Sequence, residues 1–197
     1  MARGPRYHVL FRRRRNGRTN YYYRRRLILS NNLRFVVRTS LKNVLIQVCK
    51  AELIGDKILS ATHSSELIKN FNWRGGTGNL PSAYLTGLLA GKKALQKGIT
   101  HGVLDIGVAS AIRGNRLFAA LKGLVDAGID IPHNEKIYPP EDRIRGEHIA
   151  KYAKYLTGIE SPTPPQQFNL YKKRGLDPQK LPTHFDEVKK AILDKYK

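Results

Sequence analysis

Arginine and tyrosine side chains crowd the first part of the chain and form its most distinctive chemical pattern. The first 51 residues carry fourteen Arg and Lys residues and no acidic residue, and the first carboxylate is that of Glu52. Ten of the fourteen are arginines between positions 3 and 26, including the runs 12–15 and 24–26. No folded core could bury this segment, because an unpaired cation costs several kcal/mol to desolvate. We therefore expect a polyanion beside it.

Guanidinium groups and phenol rings together are suited to binding nucleic acid. Arginine can hold a phosphate with two parallel hydrogen bonds, and an exposed tyrosine offers a ring on which an unpaired base stacks, worth about 1–3 kcal/mol per base. Tyr21, Tyr22 and Tyr23 stand between arginine runs. A solvated tail or a nuclear-targeting stretch is the alternative. Zinc-finger spacing, a leucine-zipper heptad and an evident helix-turn-helix are missing from the sequence, which favours RNA over DNA.

A glycine-rich loop at residues 75–80 precedes a predicted helix. Gly76-Thr77-Gly78 begins a GxGxxG pattern, but Pro81 stands where the third glycine is required and no GK[ST] sequence follows, which argues against mononucleotide binding. The amides of such a loop can instead hold an RNA phosphate, with a plain tight turn as the structural alternative. Trp73, just before the loop, is interpreted as a core anchor rather than a base-stacking ring.

Catalytic chemistry finds little support. The six histidines, at positions 8, 63, 101, 133, 148 and 184, show no metal-ligand spacing, and one cysteine cannot build a structural zinc site. Asp105 ends a predicted buried strand, where a two-metal nuclease would place a carboxylate, but such a site needs several converging carboxylates. The nearest acids, Asp126 and Asp130, flank a helix end. We expect a structural hydrogen-bonding role for Asp105, and no metal, cofactor or small-molecule substrate.

Positive charge is distributed unevenly along the 197 residues. Of the formal net charge of +21, +14 lies in residues 1–51, while 22 basic and 15 acidic residues leave +7 in residues 52–197. This predicts a basic arm on a moderately basic folded body. A membrane surface is the other polyanion to consider, but there is no apolar run of about 18 residues and no signal-peptide pattern. Cys49 is the only cysteine, so we expect a reducing compartment and a small buried strand residue at that position.

The arm and the segment after it differ in periodicity. Residues 1–32 show no sustained pattern and are expected to be extended, ordered mainly by their partner. From position 33 to 40 apolar and polar residues largely alternate, as in a half-buried strand, which places Arg34 and Arg38 on one face open to solvent or phosphate. Strands at about 43–53 and 57–63 would complete an antiparallel meander.

The sequence pattern after residue 63 predicts α/β structure followed by helices. Helices are expected at about 65–70, 81–97 and 115–127, with a buried strand at 103–106. Ala83, Gly87 and Gly91 recur every fourth residue and would let another backbone approach closely. A helix is expected at about 146–156, and a proline-rich break at 161–165. The final helix is expected to be capped by Thr183 and to bury a face formed by Phe185, Val188, Ile192 and Tyr196.

Taken together, these patterns predict a mixed α/β fold in which an antiparallel meander and α/β units form a mixed sheet packed by helices. Three parts are expected: a basic extended arm (residues 1–32), a central α/β domain (33–135) and a helical C-terminal extension with a proline-rich linker (136–197).

Four stretches of sequence stand out together. They are RTNY at 18–21, GGTGNLPSAYLTGLLAG at 75–91, RGNRLFAALKG at 113–123 and RGEHIA at 145–150. In these motifs the chain resembles the universal large-subunit ribosomal protein eighteen family, which carries 5S rRNA, and the likeness covers most of residues 1–157. The chain is longer than the bacterial type and lacks the long basic tail of the eukaryotic type, so it resembles the archaeal type.

The resemblance implies a structural protein of the large ribosomal subunit in the cytoplasm, without enzyme activity or cofactor. It implies an arm against 5S rRNA, a position in the central protuberance, and contacts with 23S rRNA and neighbouring ribosomal proteins. Combined with the residue patterns above, it gives a set of candidate RNA-binding residues. These are Arg12, Arg13, Arg14, Arg15, Arg18, Tyr21, Arg24, Arg25, Arg26, Arg34, Arg38, Arg74, Gly76, Thr77, Asn79, Arg113, Asn115 and Arg116. The alternatives are an RNA-processing nuclease with Asp105 in its site and a general RNA chaperone.

Overall fold

The computed structural model describes residues 4–157 and 166–196 of the chain. The strands are β1 (Arg34–Thr39), β2 (Val44–Ala51), β3 (Asp56–His63) and β4 (Val103–Asp105). The α-helices are α1 (Arg12–Arg15), α2 (Tyr21–Leu29), α3 (Ser65–Phe71), α4 (Leu80–Leu95), α5 (Arg116–Asp126), α6 (Glu141–Arg145), α7 (Glu147–Thr157), α8 (Asn169–Lys173) and α9 (Leu181–Lys195). Short 3₁₀ helices lie at Glu135–Ile137, Gln166–Phe168 and Pro178–Lys180.

The strands form one mixed sheet in the order β3, β2, β1, β4. β1 pairs antiparallel with β2, placing Phe35 opposite Val48, and β2 pairs antiparallel with β3. β4 lies parallel to β1 on its other side, with Leu104 opposite Phe35. The predicted meander and the predicted mixed α/β fold are therefore confirmed.

Strand β1 is more deeply buried than its alternating sequence predicted. Phe35 and Val37 belong to the main hydrophobic core, but Arg34 and Val36 on the other face are buried as well. The expectation that Arg34 faces solvent or phosphate is therefore wrong. β1 is an inner strand, and carboxylates from β3 and β4 contact the side chain of Arg34. The expected exposure of that face is found only at Arg38.

Helix α4 lies at the centre of the core and packs against β2, β3, α5 and α9. Asn79 caps it by accepting a hydrogen bond from the amide of Ser82 at 3.0 Å, and Pro81 occupies its first turn, where a missing N–H costs nothing. Trp73, immediately upstream, is 1% exposed, which confirms it as a core anchor. Among the residues described, no helix is long and apolar enough to cross a membrane.

Helices α4 and α5 touch through glycines, as the stripe of small residues predicted. A Cβ atom at Gly87 would lie 2.1 Å from the carbonyl oxygen of Ala120, and one at Gly123 would lie 2.2 Å from that of Tyr84. One turn further along α4, Gly91 meets Ala127. From Gly87 beside Ala120 to Gly91 beside Ala127 the contact advances toward the C-terminus of both helices, so the two helices run in the same general direction, and Gly123 packs between Tyr84 and Leu88 where they touch.

We expect Gly87→Ala to lower the free energy of unfolding by about 1–3 kcal/mol, because the added methyl group meets a backbone carbonyl that cannot rotate away. Urea unfolding followed by circular dichroism measures this loss. Lys92→Ala, a change at a partly exposed position of the same helix, is the matched control and should stay within about 0.5 kcal/mol. Equal stability of Gly87→Ala and wild type would show that the helices can separate without cost.

The C-terminal helices pack on the body instead of standing apart from it. The final helix, α9, begins at Leu181, before the predicted cap, and its N-terminus has no side-chain cap, so the expectation for Thr183 is wrong. Its predicted apolar face is confirmed, since Phe185, Val188 and Ile192 are buried in the core cluster. Proline at the second helical position lets the helix start earlier than the threonine. The predicted proline-rich break at 161–165 lies outside the described residues.

Candidate nucleic-acid interface

The basic arm is helical where it was expected to be extended. After α1, Gly17 turns the chain with a φ of +61°, and α2 then runs for nine residues. The side chain of Asn20 caps α2 by accepting hydrogen bonds from the amides of Tyr22 and Tyr23. An asparagine followed by nine residues without Gly or Pro is a helix-start signal. Helix α2 buries no residue, so its sequence carries no apolar periodicity.

The arginines of the arm are presented to solvent. Helix α1 buries none of its residues. The exposed arginines at predicted sites are Arg12, Arg13, Arg14, Arg15, Arg18, Arg25 and Arg26. Tyr21 is partly buried against Phe11, with ring centroids 5.3 Å apart. The chain has no acidic residue before Glu52, so any carboxylate that pairs with this arm comes from the folded body.

An alternating network of charges attaches the arm to the sheet. Asp56, at the start of β3, lies 2.8 Å from Arg24 of the arm and 2.6 Å from Arg34 of β1. Arg34 also lies 3.1 Å from Asp105 at the end of β4. Asp105 in turn lies 3.0 Å from Arg38. Arg24 and Arg34 are therefore engaged with carboxylates, and Arg34, with a side chain only 1% exposed, is not available to RNA.

Both members of the central ion pair are held in their charged forms. Burial alone would raise the pKa of Asp56, but the hydrogen bonds from Arg34 and Arg24 outweigh it and lower that pKa. Burial alone would lower the pKa of Arg34, and the bond to Asp56 outweighs it and raises that pKa. The buried guanidinium thus stays protonated.

We expect Asp56→Asn to release α2 from the sheet, since Arg24 loses its carboxylate. Trypsin should then cleave after Arg24 to Arg26 several-fold faster than in the wild type, because docked helix resists proteolysis. Glu52→Gln, a change at a neighbouring carboxylate, is the matched control. Because the pKa of Asp56 is lowered from its ordinary 3.8, its stabilising effect is present above that value and disappears as the pH falls through the lowered pKa. Unchanged cleavage in Asp56→Asn would contradict docking through this residue.

Asp105, the candidate nuclease carboxylate, has a structural role, as expected. One of its carboxylate oxygens accepts a hydrogen bond from Arg34. The other accepts hydrogen bonds from Arg38 and from the amide of Gly107. In the described ranges, no group of three or more His, Cys, Asp or Glu side chains could hold a metal ion. Cys49 is buried on β2, as predicted, and burial raises the pKa of its thiol.

A small polar hollow lies between the arm and the sheet. Its volume is about 80 Å³. Its walls are Arg13, Arg18, Thr19, Asn20, Tyr23, Arg24, Arg38, Asp105 and Gly107. Four guanidinium groups thus surround one carboxylate, which makes the hollow positively charged. An RNA phosphate here would be held by the arm and the body together.

The glycine-rich loop is fixed mainly by contacts within the protein. The indole of Trp73 donates to the carbonyl of Gly76 at 3.1 Å, and the hydroxyl of Thr77 donates to the carbonyl of Lys42 at 2.6 Å. Asn79 is occupied as the cap of α4. These bonds use a carbonyl oxygen and two side chains, so they hold the shape of the loop, and the binding of phosphate by its amides stays a prediction. Arg74 remains exposed beside the loop, with one hydrogen bond to the carbonyl of Gly175.

The second predicted loop lies against the first. Arg116, the first residue of α5, donates to the carbonyl of Gly78 at 2.6 Å, and Asn115 precedes it without a side-chain capping bond. Arg113 is exposed. Because β1 and β4 are parallel, the turn after β1 and the loop after β4 lie at the same end of the strands. The structure thus brings Arg38, Arg113 and the glycine loop toward this end of the sheet.

Two residues that organise this region were missed in the sequence. Asp56 anchors the arm from 32 positions away, and Arg174 donates to the carbonyl of Gly75 at 2.6 Å from 99 positions away. Neither belongs to a local pattern. Only the Gly55-Asp56 turn gave a signal, and it indicated a hairpin rather than an anchor.

Comparison with known proteins identifies clear similarities. The chain matches the model of a family described as ribosomal large subunit proteins 60S L5 and 50S L18, over residues 5–102 and 96–134. It is 50% identical to large ribosomal subunit protein uL18 of Staphylothermus marinus over 197 residues, which cover 100% of this chain and 98% of that protein. It is also 50% identical to large ribosomal subunit protein uL18 of Aeropyrum pernix over 197 residues, covering 100% of this chain and 92% of that protein.

Proposed function

Because the chain belongs to the family of ribosomal large subunit proteins 60S L5 and 50S L18, we propose that it binds 5S rRNA and helps to attach it to 23S rRNA in the central protuberance. The family consists of structural proteins of the large subunit, so the chain is a constituent of the cytoplasmic ribosome and not an enzyme. 5S rRNA, 23S rRNA and neighbouring ribosomal proteins are its proposed partners.

The array of exposed arginines on a docked helical arm is the observation that carries this proposal. Arg25 and Arg26 project from α2, while Arg24 of the same helix is held by Asp56. The docked helix fixes the spacing of its free guanidinium groups, which a disordered tail would not do. Regular spacing suits a folded RNA whose phosphates lie at fixed positions.

The folded body would supply the preference for one RNA. Arg113 and Arg74 are exposed beside loops that internal hydrogen bonds hold in place. Side chains held beside loops of the folded core keep a constant separation and can read RNA shape, and the arm, which pairs with the body through Arg24 and Asp56, adds further phosphate contacts. In this proposal the folded body determines the preference for 5S rRNA, and the arm increases the affinity for RNA.

Competition binding tests the proposal. Labelled 5S rRNA is bound to the full chain and displaced by unlabelled 5S rRNA or by an unrelated RNA of equal length. We expect at least about a tenfold preference for 5S rRNA. Arg74→Gln with Arg113→Gln should reduce that preference, and the matched control Lys190→Gln, at an exposed position of α9, should keep it. Equal displacement by both RNAs would favour the general RNA chaperone instead.

Attachment to 23S rRNA requires a separate measurement. A 23S rRNA fragment from the central protuberance is added to 5S rRNA with and without the chain, and complexes are separated on a native gel. We expect a complex of both RNAs that forms in the presence of the chain. Binding of 5S rRNA without any joint complex would restrict the function to carrying 5S rRNA.

A further inference from the structure

The outer face of α7 combines exposed aromatic rings with lysines, far along the chain from the arm. Tyr152 and Tyr155 are 46% and 64% exposed, while Ala153 between them is buried. Lys151 and Lys154 are exposed on the same helix. At about 3.6 residues per turn, Lys151 and Tyr155 lie on the side of the helix opposite Ala153, while Tyr152 and Lys154, each about 100° from Ala153, lie on the two flanks of that side.

The two tyrosine rings form a ready-made stacking surface. Their centroids lie 6.4 Å apart with an angle of 24° between the ring planes. Phe168, which precedes α8, approaches Tyr152 at 6.3 Å and packs on the core, so one end of the aromatic row is fixed. Isolated exposed tyrosines are ordinary on protein surfaces, but a row of rings fixed at one end is already ordered and would lose little entropy on binding a flat ligand.

The charge around these rings indicates an anionic ligand. Lys151 is far from fully paired, since its side chain is 77% exposed and the carboxylate of Glu147 lies 3.9 Å away. Lys172 and Lys173 of α8 are also exposed. A ligand with flat rings at its centre and negative charge at its edges matches both features, and unpaired nucleotides have that chemistry.

We propose that this face of α7 is a second RNA-binding surface, which stacks unpaired bases on Tyr152 and Tyr155 and pairs their phosphates with Lys151 and Lys154. It goes beyond the proposed function, because it does not depend on the arm or on which RNA the arm selects. Helix α7 packs on α6, α9 and the turn Pro178–Lys180, whereas the arm is attached through Asp56 of β3. The chain would therefore contact RNA through two separate elements.

Short oligonucleotides separate stacking from general attraction to phosphate. The full chain, carrying isotope-labelled tyrosine, is titrated with a six-nucleotide oligouridine and with an abasic oligonucleotide of equal length. We expect the ring signals of Tyr152 and Tyr155 to shift with oligouridine and to stay in place with the abasic chain, which retains the phosphates. Signals that respond to both or to neither would overturn the proposal.

Substitutions provide the matched controls. Because each stacked base contributes on the order of tenfold or more in affinity, Tyr152→Leu with Tyr155→Leu should weaken oligouridine binding at high salt by at least that factor. Tyr152→Phe with Tyr155→Phe keeps the aromatic rings and should preserve the affinity for oligouridine. Equal binding by the leucine and phenylalanine variants would overturn the proposal and assign the face to a protein partner, for which apolar area is sufficient. If the chain showed no preference for 5S rRNA in the competition experiment, the expected results with oligouridine would not change. The two proposals can therefore fail independently.

Discussion

Replacing the seven exposed arm arginines by glutamine should flatten the salt dependence of RNA binding by roughly five units of log K per unit of log salt. Each neutralised phosphate of a single strand contributes about 0.7 to that slope. The residues to be changed are Arg12, Arg13, Arg14, Arg15, Arg18, Arg25 and Arg26, all exposed in the structure. Arg24 is kept, because it holds the arm to Asp56.

Titrations with 5S rRNA at several salt concentrations measure this change. The matched control replaces the same seven residues by lysine, which preserves the charge but loses the paired hydrogen bonds of the guanidinium group. We expect the lysine variant to keep the slope of the wild type with a lower affinity. An unchanged slope in the glutamine variant would show that the arm does not engage phosphate, and the proposed role of the arm would be wrong.

Asp105→Asn should lower the free energy of unfolding by about 3–5 kcal/mol, the usual effect of removing one partner from a buried ion pair. The change leaves Arg34 buried beside a neutral amide with Asp56 as its remaining carboxylate partner among the described residues, and it also weakens the contact with Arg38. Arg34→Met should cost less, because Asp105 keeps Arg38 and Asp56 keeps Arg24. We therefore expect the free energy of unfolding to depend more on this carboxylate than on Arg34.

Urea unfolding of both variants tests this order. Glu147→Gln, which removes a partly exposed carboxylate 3.9 Å from Lys151 on α7, is the control and should stay within about 0.5 kcal/mol. A larger loss in Arg34→Met than in Asp105→Asn would contradict the network described here. A metal-dependent RNA cleavage that disappeared in Asp105→Asn at unchanged stability would instead revive the nuclease alternative.

Local patterns predicted the parts of the fold that local contacts determine. The meander followed from short turns between strands, and α4 followed from its proline start and its stripe of small residues. The buried face of α9 followed from helical spacing alone. In each case the residues that fix the element lie within a few positions of each other, so a sequence contains the information directly.

The candidate site was harder to predict because its partners are distant in sequence. In the sequence, Arg34 has no nearby acidic residue to pair with. Its partners Asp56 and Asp105 lie 22 and 71 positions away, and only the sheet brings them together. The hydroxyl of Thr77 has no evident acceptor in the sequence for the same reason, because the carbonyl that it donates to belongs to Lys42, 35 positions away. The density of arginines in the sequence predicts an RNA-binding arm, and the structure separates the arginine that pairs with Asp56 from those that remain exposed.

The glycine contact between α4 and α5 has an electrostatic consequence. The two helices run in the same general direction, and Arg116, the first residue of α5, donates to the carbonyl of Gly78, two residues before the start of α4. Each helix carries about half a positive charge at its N-terminus from its aligned peptide dipoles. Two such ends side by side repel each other, and the close packing at Gly87 and Gly123 offsets that repulsion. The two helix N-termini thus place about one unit of positive partial charge near Arg116, and this charge comes from the backbone rather than from a side chain.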